Sequence, residues 1–340
     1  MNISHWDRGW PGHLGSRPWP RRLSRRRFLV DAGLGLGTLA VRGASEGPGR
    51  ELIQDPSFRR GLNACRPAPG RHDRYGVLEG FEALPPAWDL VQWSSREAIP
   101  IAPNRTDAEV RTWSNRYKSV QLGAGSGSGT AGELVLAVNG WEEYGERARR
   151  DGEPWVHLLV EQFFENPPAL SELTGARFRI SVRLLHSRLR RTADYSTGRH
   201  AAQFQVFLTL QNRNPGSTGH GKFLWFGIPL YDDRHRVPPA HKTQDTAGSG
   251  MFIYTPSGDS YAETSAHDGS WLQVDREILP MLREALETAW KQGFLVESRK
   301  ADDYRITGIN LGWEVPGILD VSMAVKGLGL RATTKGPSPG

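Results

Sequence analysis

From about position 119 onward, apolar side chains recur at every second residue. In "ARFRISVRLL" (176–185) Phe178, Ile180, Val182 and Leu184 share one face, and Arg177, Arg179, Ser181 and Arg183 share the other. "AQFQVFLTLQN" (202–212) repeats the arrangement, with Phe204, Val206, Leu208 and Leu210 on one side and Gln203, Gln205, Thr209 and Gln211 on the opposite one. A period of two sends successive side chains to opposite faces of a strand, one toward a core and one toward water. Similar runs at 119–123, 133–139, 155–164, 223–231, 251–255, 271–275, 304–313 and 319–328 predict further strands. Gly308 falls where the apolar phase moves from Tyr304 and Ile306 to Ile309 and Leu311, which predicts a bulge. One stretch departs from the pattern. "ILPMLREALETAWKQG" (278–293) sets Ile278, Leu282, Ala285, Leu286, Ala289 and Trp290 on one side at helical spacing, with Glu287 and Lys291 one turn apart and Gly293 as a stop.

Many strands and one helix, without strand–helix alternation, exclude a doubly wound or barrel α/β fold. The expectation is a mainly β chain: a two-sheet antiparallel β-sandwich of jelly-roll-like kind with one amphipathic α-helix near 278–292, covering one end of a sheet. The run "KFLWFGIPLYDDR" (222–234) blurs the alternation through consecutive Leu224, Trp225 and Phe226. It reads as a strand covered on both faces, its aromatics in the core and its exit at Tyr231 and Asp233 available to a ligand. The glycine-rich stretch 123–132 lacks the lysine and following helix of a phosphate loop and reads as a hairpin connection.

Charge changes the picture only at the N-terminus. The chain of 340 residues carries a formal +6, yet residues 1–44 hold eight arginines and two acids. Without them, 35 basic residues face 35 acidic ones, so composition gives no basic footprint for nucleic acid. "SRRRFLVDAGLGLGTLAV" (24–41), with Arg25 and Arg26 ahead of Phe28, Leu29 and a weakly apolar stretch, resembles a twin-arginine export signal. Its apolar part, about 14 residues, is too short to span a bilayer. The resemblance implies a leader over 1–45, the twin-arginine machinery as a partner, no stable membrane span in the mature chain, and a periplasmic or extracellular location. A single sandwich domain over 46–332 and a disordered tail over 333–340 complete the expected organisation. Cys65 is the only cysteine, so no internal disulfide can form.

Candidate chemistry lies on the polar faces. His157 and Glu161 share a side of one strand, Arg179 and Arg183 of the next, and Gln203 and Gln205 of the following; as neighbours in a curved sheet they would form one groove. Trp313 and Glu314, just before the strand-ending Pro316 and Gly317, add an aromatic and a carboxylate. Aromatic faces stack on sugar rings, while carboxylates, amides and guanidinium groups bond their hydroxyls. No resident cofactor is expected, apart from calcium at the oxygen-rich loop holding Asp232, Asp233, His235, His241 and Asp245. The chain has no His-Glu-x-x-His or Cys-x-x-Cys motif.

By architecture over 155–330, the chain resembles jelly-roll carbohydrate-active proteins, including uronate polysaccharide lyases. The resemblance implies a glycan or polysaccharide partner, an anionic one included, with Arg and Gln holding a carboxylate. It departs from the lyase pattern where Gln205 and Val206 are followed by Phe207 instead of His, which favours binding over cleavage. The expected function is therefore an exported glycan-binding protein, with a polysaccharide-cleaving hydrolase or lyase and a non-catalytic surface or assembly protein as alternatives.

Overall fold

A computed structural model describes residues 49–106, 108–123, 133–246 and 248–335; the leader lies outside them. The strands are β1 (Arg50–Glu51), β2 (Gly61–Cys65), β3 (Arg74–Glu79), β4 (Trp88–Val91), β5 (Arg105–Thr106), β6 (Val110–Ser114), β7 (Lys118–Gly123), β8 (Leu134–Asn139), β9 (Val156–Phe163), β10 (Leu173–Leu189), β11 (Gln203–Asn212), β12 (Phe223–Asp232), β13 (His241–Gln244), β14 (Phe252–Thr255), β15 (Leu272–Glu277), β16 (Tyr304–Val315) and β17 (Leu319–Thr334). Two helices join them, α1 (Gly140–Glu143) and α2 (Leu279–Lys291).

Among the described residues the strands form two sheets. One has the order β15-β10-β17-β8-β7-β6-β5, with β1 also on β17; the other runs β13-β14-β12-β11-β16-β9-β4-β2-β3. Inward-facing residues of both sheets make one core, in which Phe204, Val206, Leu208, Trp313, Phe178 and Ile180 are buried. The two-sheet, mainly β architecture expected from the alternation is what the chain adopts. Pairing is antiparallel except at β12–β14 and β2–β4, which run parallel. In both cases an intervening strand pairs on the outside, so the chain returns in its original direction. The bulge falls where expected: the β11–β16 register slips between Thr209/Gly308 and Leu210/Ile306. The C-terminal strand continues to Thr334, two residues into the stretch expected to be tail.

Helix α2 buries Leu282, Ala285, Leu286 and Ala289, its predicted apolar face. It packs on β10 of one sheet and β12 of the other, so it closes the open side between them instead of capping one sheet end. Pro280 sits in its first turn, where a missing N–H costs nothing. Gly293, at φ 85°, ends it in the left-handed region. Trp313 shows how the sheets are held together. Its ring packs against Phe204 with centroids 5.0 Å apart, and its indole N–H donates to the Leu136 carbonyl of the opposite sheet at 2.9 Å. Among the described residues no helix is long and apolar enough to cross a membrane.

Candidate functional site

The outer face of the nine-stranded sheet gathers half of the sequence-predicted residues, and pairing register sets them in rows. His157 of β9, Glu314 of β16, Gln203 of β11 and Asp232 of β12 form one row. The next is Leu159, Gly312, Gln205 and Pro229; then Glu161, Asn310, Phe207 and Gly227; then Phe163, Gly308, Thr209 and Trp225. Side chains two residues apart on one strand share a face, so the outward half of each strand contributes to one surface.

At the centre, the Gln205 amide donates to Glu314 Oε1 at 3.0 Å, and His157 Nε2 lies 3.9 Å from Glu314 Oε2. His157 Nδ1 sits 3.0 Å from the Trp155 carbonyl. A carbonyl only accepts, so Nδ1 carries a proton and Nε2 is the ring atom turned toward Glu314. Glu314 and His157 keep part of their side chains exposed, 16% and 21%. At the row's end, Asp232 accepts from Gln203 at 2.8 Å and from two nitrogens of Arg234 at 2.6 and 2.8 Å. Burial works against its charge, but Arg234 and Gln203 outweigh that cost and hold the carboxyl below its usual range.

Aromatic rings flank this polar centre. Trp93 packs edge-on to His157, centroids 5.8 Å apart. On the other side Trp225 meets Phe207 at 5.9 Å and Phe223 at 4.9 Å, and its indole N–H is oriented by Ser249 Oγ at 2.9 Å. Gly227 makes room for this group, since a Cβ there would stand 2.2 Å from Thr255 Oγ1 and 3.0 Å from the Phe207 ring. Phe163 stands 68% exposed at the edge of the face.

The half of the face over β9, β4 and β2 is covered. The segment 66–73 crosses it, with His72 against Glu161 and the Arg71 carbonyl near the Trp93 indole, and Cys65, Val91 and Leu159 are buried with Trp93 against them. His72 of this segment places Nε2 2.6 Å from Glu161 Oε2, and Asn310 Nδ2 lies 3.4 Å from Oε1. The hydrogen bond to Glu161 outweighs desolvation and raises the His72 pKa. Burial pushes the Cys65 thiol up to about 12, so it is no nucleophile.

Several expected site residues lie elsewhere. Arg179 and Arg183 belong to β10, in the opposite sheet, because β10 pairs with β15 and β17. The single groove of five side chains is therefore corrected to His157, Glu161, Gln203, Gln205 and Glu314, without arginine from β10. Trp313 points inward and is fully buried. Tyr231 is 3% exposed and donates to Ser187 Oγ at 2.9 Å. Asp233 accepts from the Ala202 N–H at 2.7 Å and ties down the end of β11. The calcium loop also resolves otherwise: Asp232 is paired with Arg234, and Asp245 accepts from Ser249. Among the described residues, no group of three or more potential ligands converges.

Phe163, Phe207 and Trp225 were missed as surface groups, with Trp225 expected in the core. For two of them a signal was available, since Phe163 occupies the polar phase of Glu161 and Phe207 that of Gln205, whereas the strand of Trp225 has no polar phase. Trp93 and His72 come from irregular segments and had none.

Fold and face together define a jelly-roll-like β-sandwich with a polar, aromatic-flanked outer sheet. No protein-family model matches the chain, and no curated protein matches it. Among solved structures it is similar to a meso-active, thermostable cellulase derived from that of Rhodothermus marinus, with 9% identity, TM-score 0.37, and 72% of this chain and 99% of that one covered. A family 12 xyloglucanase from Bacillus licheniformis gives 8% identity, TM-score 0.37, and coverage of 72% and 97%. A family 11 xylanase from Neocallimastix patriciarum gives 9%, 0.34, 67% and 94%. At such values function has to be read from the residues of this chain.

Proposed function

We propose that the protein is an exported glycan-binding β-sandwich whose ligand is an uncharged polysaccharide lying on the outer face of the nine-stranded sheet. The observation that carries this reading is the partly exposed Gln205–Glu314–His157 group set between Trp93 and the Phe207–Trp225 pair. A carboxylate accepts hydrogen bonds, which suits the hydroxyl donors of a sugar, and aromatic rings suit its C–H faces. A carboxylate ligand would instead meet Glu314 and Asp232, while Arg234 is already engaged by Asp232. Export rests on the twin-arginine motif of the leader.

Binding is favoured over hydrolysis by the placement of the two glutamates. Glu161, the second glutamate of the face, is buried and engaged by His72, so Glu314 alone of the pair meets a ligand. Calorimetry of the exported chain against neutral and uronate oligosaccharides, with mass spectrometry of the products, tests the proposal. Neutral oligosaccharides should bind uncleaved, and Glu314→Gln should weaken them about tenfold or more, the value of a charged hydrogen bond. Cleavage products, or affinity untouched by Glu314→Gln and Trp225→Ala, would overturn it.

A further inference from the structure

The rings and polar groups of the outer face lie on a diagonal that stops at β9. It starts at Trp225 of β12, passes Phe207 and Gln205 of β11, and reaches Glu314 of β16 and His157 of β9, in the rows set by strand pairing. On the side of Trp225 the face continues. Ile253 of β14 pairs with Trp225 and Thr243 of β13 pairs with Ile253, and both are half-exposed. On the side of His157 the face is walled off. The Trp93 ring stands edge-on to the His157 ring, centroids 5.8 Å apart, and the His157 N–H donates to the Trp93 carbonyl at 2.9 Å.

The segment 66–73 completes this end as a raised wall. Pro69, Gly70, Arg71 and His72 of the segment are exposed, whereas Cys65, Val91 and Leu159 of the strands it crosses are buried. Three backbone bonds tie it into a compact turn: the Arg66 N–H donates to the Asp73 carbonyl at 2.8 Å, that of Ala68 to Arg66 at 2.7 Å, and that of Arg71 to Ala68 at 3.2 Å. Pro67 and Pro69 fix two of its φ angles. His72 fastens it to the sheet through Glu161 at 2.6 Å, and the Arg71 carbonyl lies 3.5 Å from the Trp93 indole nitrogen, so segment and ring brace each other. A chain of sugars entering over β12 therefore meets backbone and ring at β9 instead of open sheet.

We propose that the site takes the end of a neutral glycan chain, the terminal sugar resting against Trp93 and the segment 66–73 while the rest of the chain leaves over Trp225. The proposal deepens the glycan-binding reading and rests on it. A terminal sugar carries a hydroxyl where an interior one carries its neighbour, and Glu314 Oε2, turned toward His157 at the wall, is an acceptor for that hydroxyl. An interior stretch of polymer would have to continue through the space that 66–73 fills. Steric overlap of this kind rejects a ligand that shares all the attractive contacts of the accepted one.

Calorimetry of the full exported chain with maltohexaose, cellohexaose, laminarihexaose and mannohexaose tests it, each sugar used uncapped, with a nitrophenyl group on its reducing end, or with a benzylidene group on its non-reducing end. For a hexaose that binds, one cap should weaken binding at least about tenfold and the other should leave it unchanged, because a single end is enclosed. The double variant His72→Ala/Trp93→Ala, whatever its affinity, should take both capped forms as well as the uncapped one. A merely structural loss would weaken all three alike and keep their ratio. Both caps tolerated by the wild type, both caps excluded by it, or an unchanged ratio in the folded double variant would each overturn the proposal and leave glycan binding standing. Absence of binding to every hexaose would overturn it together with the reading on which it rests.

Discussion

Neighbouring residues can have opposite duties. Trp313 and Glu314 are adjacent in the chain, but strand geometry turns the indole into the core and the carboxylate to the outer face. Trp313→Ala removes a buried ring and the donor to Leu136, and should cost about 3–5 kcal/mol in urea unfolding. Glu314→Gln should leave unfolding within about 0.5 kcal/mol while lowering glycan affinity. His72 gives a pH-dependent test. Its hydrogen bond to Glu161 raises its pKa above the ordinary 6.5, so the fold holds this proton more tightly than the unfolded chain does. That contribution is fully present below about pH 6.5 and is lost as pH rises through the raised value. The stability gap between wild type and His72→Gln should narrow from pH 5.5 to pH 9. It should stay below about 1 kcal/mol, since the imidazole is partly solvated.

At the scale of elements, β12 depends on a residue without a side chain. Gly227→Ala would press on Thr255 and Phe207, so it should destabilise by about 1–3 kcal/mol and displace the Phe207–Trp225 pair. Chemical unfolding and glycan calorimetry should both register it. The longer strands were legible because period two survives in β8, β9, β10, β11, β16 and β17. The segments 50–51, 61–65, 74–79, 88–91, 105–106 and 110–114 were not read as strands. They are short, and Trp88–Val91 is buried throughout, which erases alternation. The polar edge strand His241–Gln244 was hidden for the opposite reason, having no apolar face. Alternation also states which residues of a strand share a face, but not which strands are neighbours. The Arg phase of β10 and the Gln phase of β11 look alike in sequence, and only pairing with β15 and β17 carries the arginines to the far side. Phe207 and Phe163 were legible in phase and overlooked in kind, because an aromatic ring is usually read as core.

For the whole molecule, the order of strands in the chain differs sharply from their order in space. The strand Tyr304–Val315 lies between β11 and β9, and Leu319–Thr334 lies between β10 and β8 while also pairing with β1. The latest two of the described strands are thus interior members, one of each sheet. Between synthesis of Asn212, the end of β11, and of Tyr304 roughly 5–18 s pass at ordinary elongation rates. Through that interval the edges of β9 and β11 wait unpaired, a template for aggregation unless a chaperone shields them. Ribosome-arrested chains ending at Lys300 should be cut rapidly by protease, whereas the released full chain resists. Resistance of the arrested chain would show that the sheets close without their central strands. Under the export proposed above, machinery that accepts only folded cargo would act as a proofreading step, because a chain truncated before β16 has no finished sheet to present.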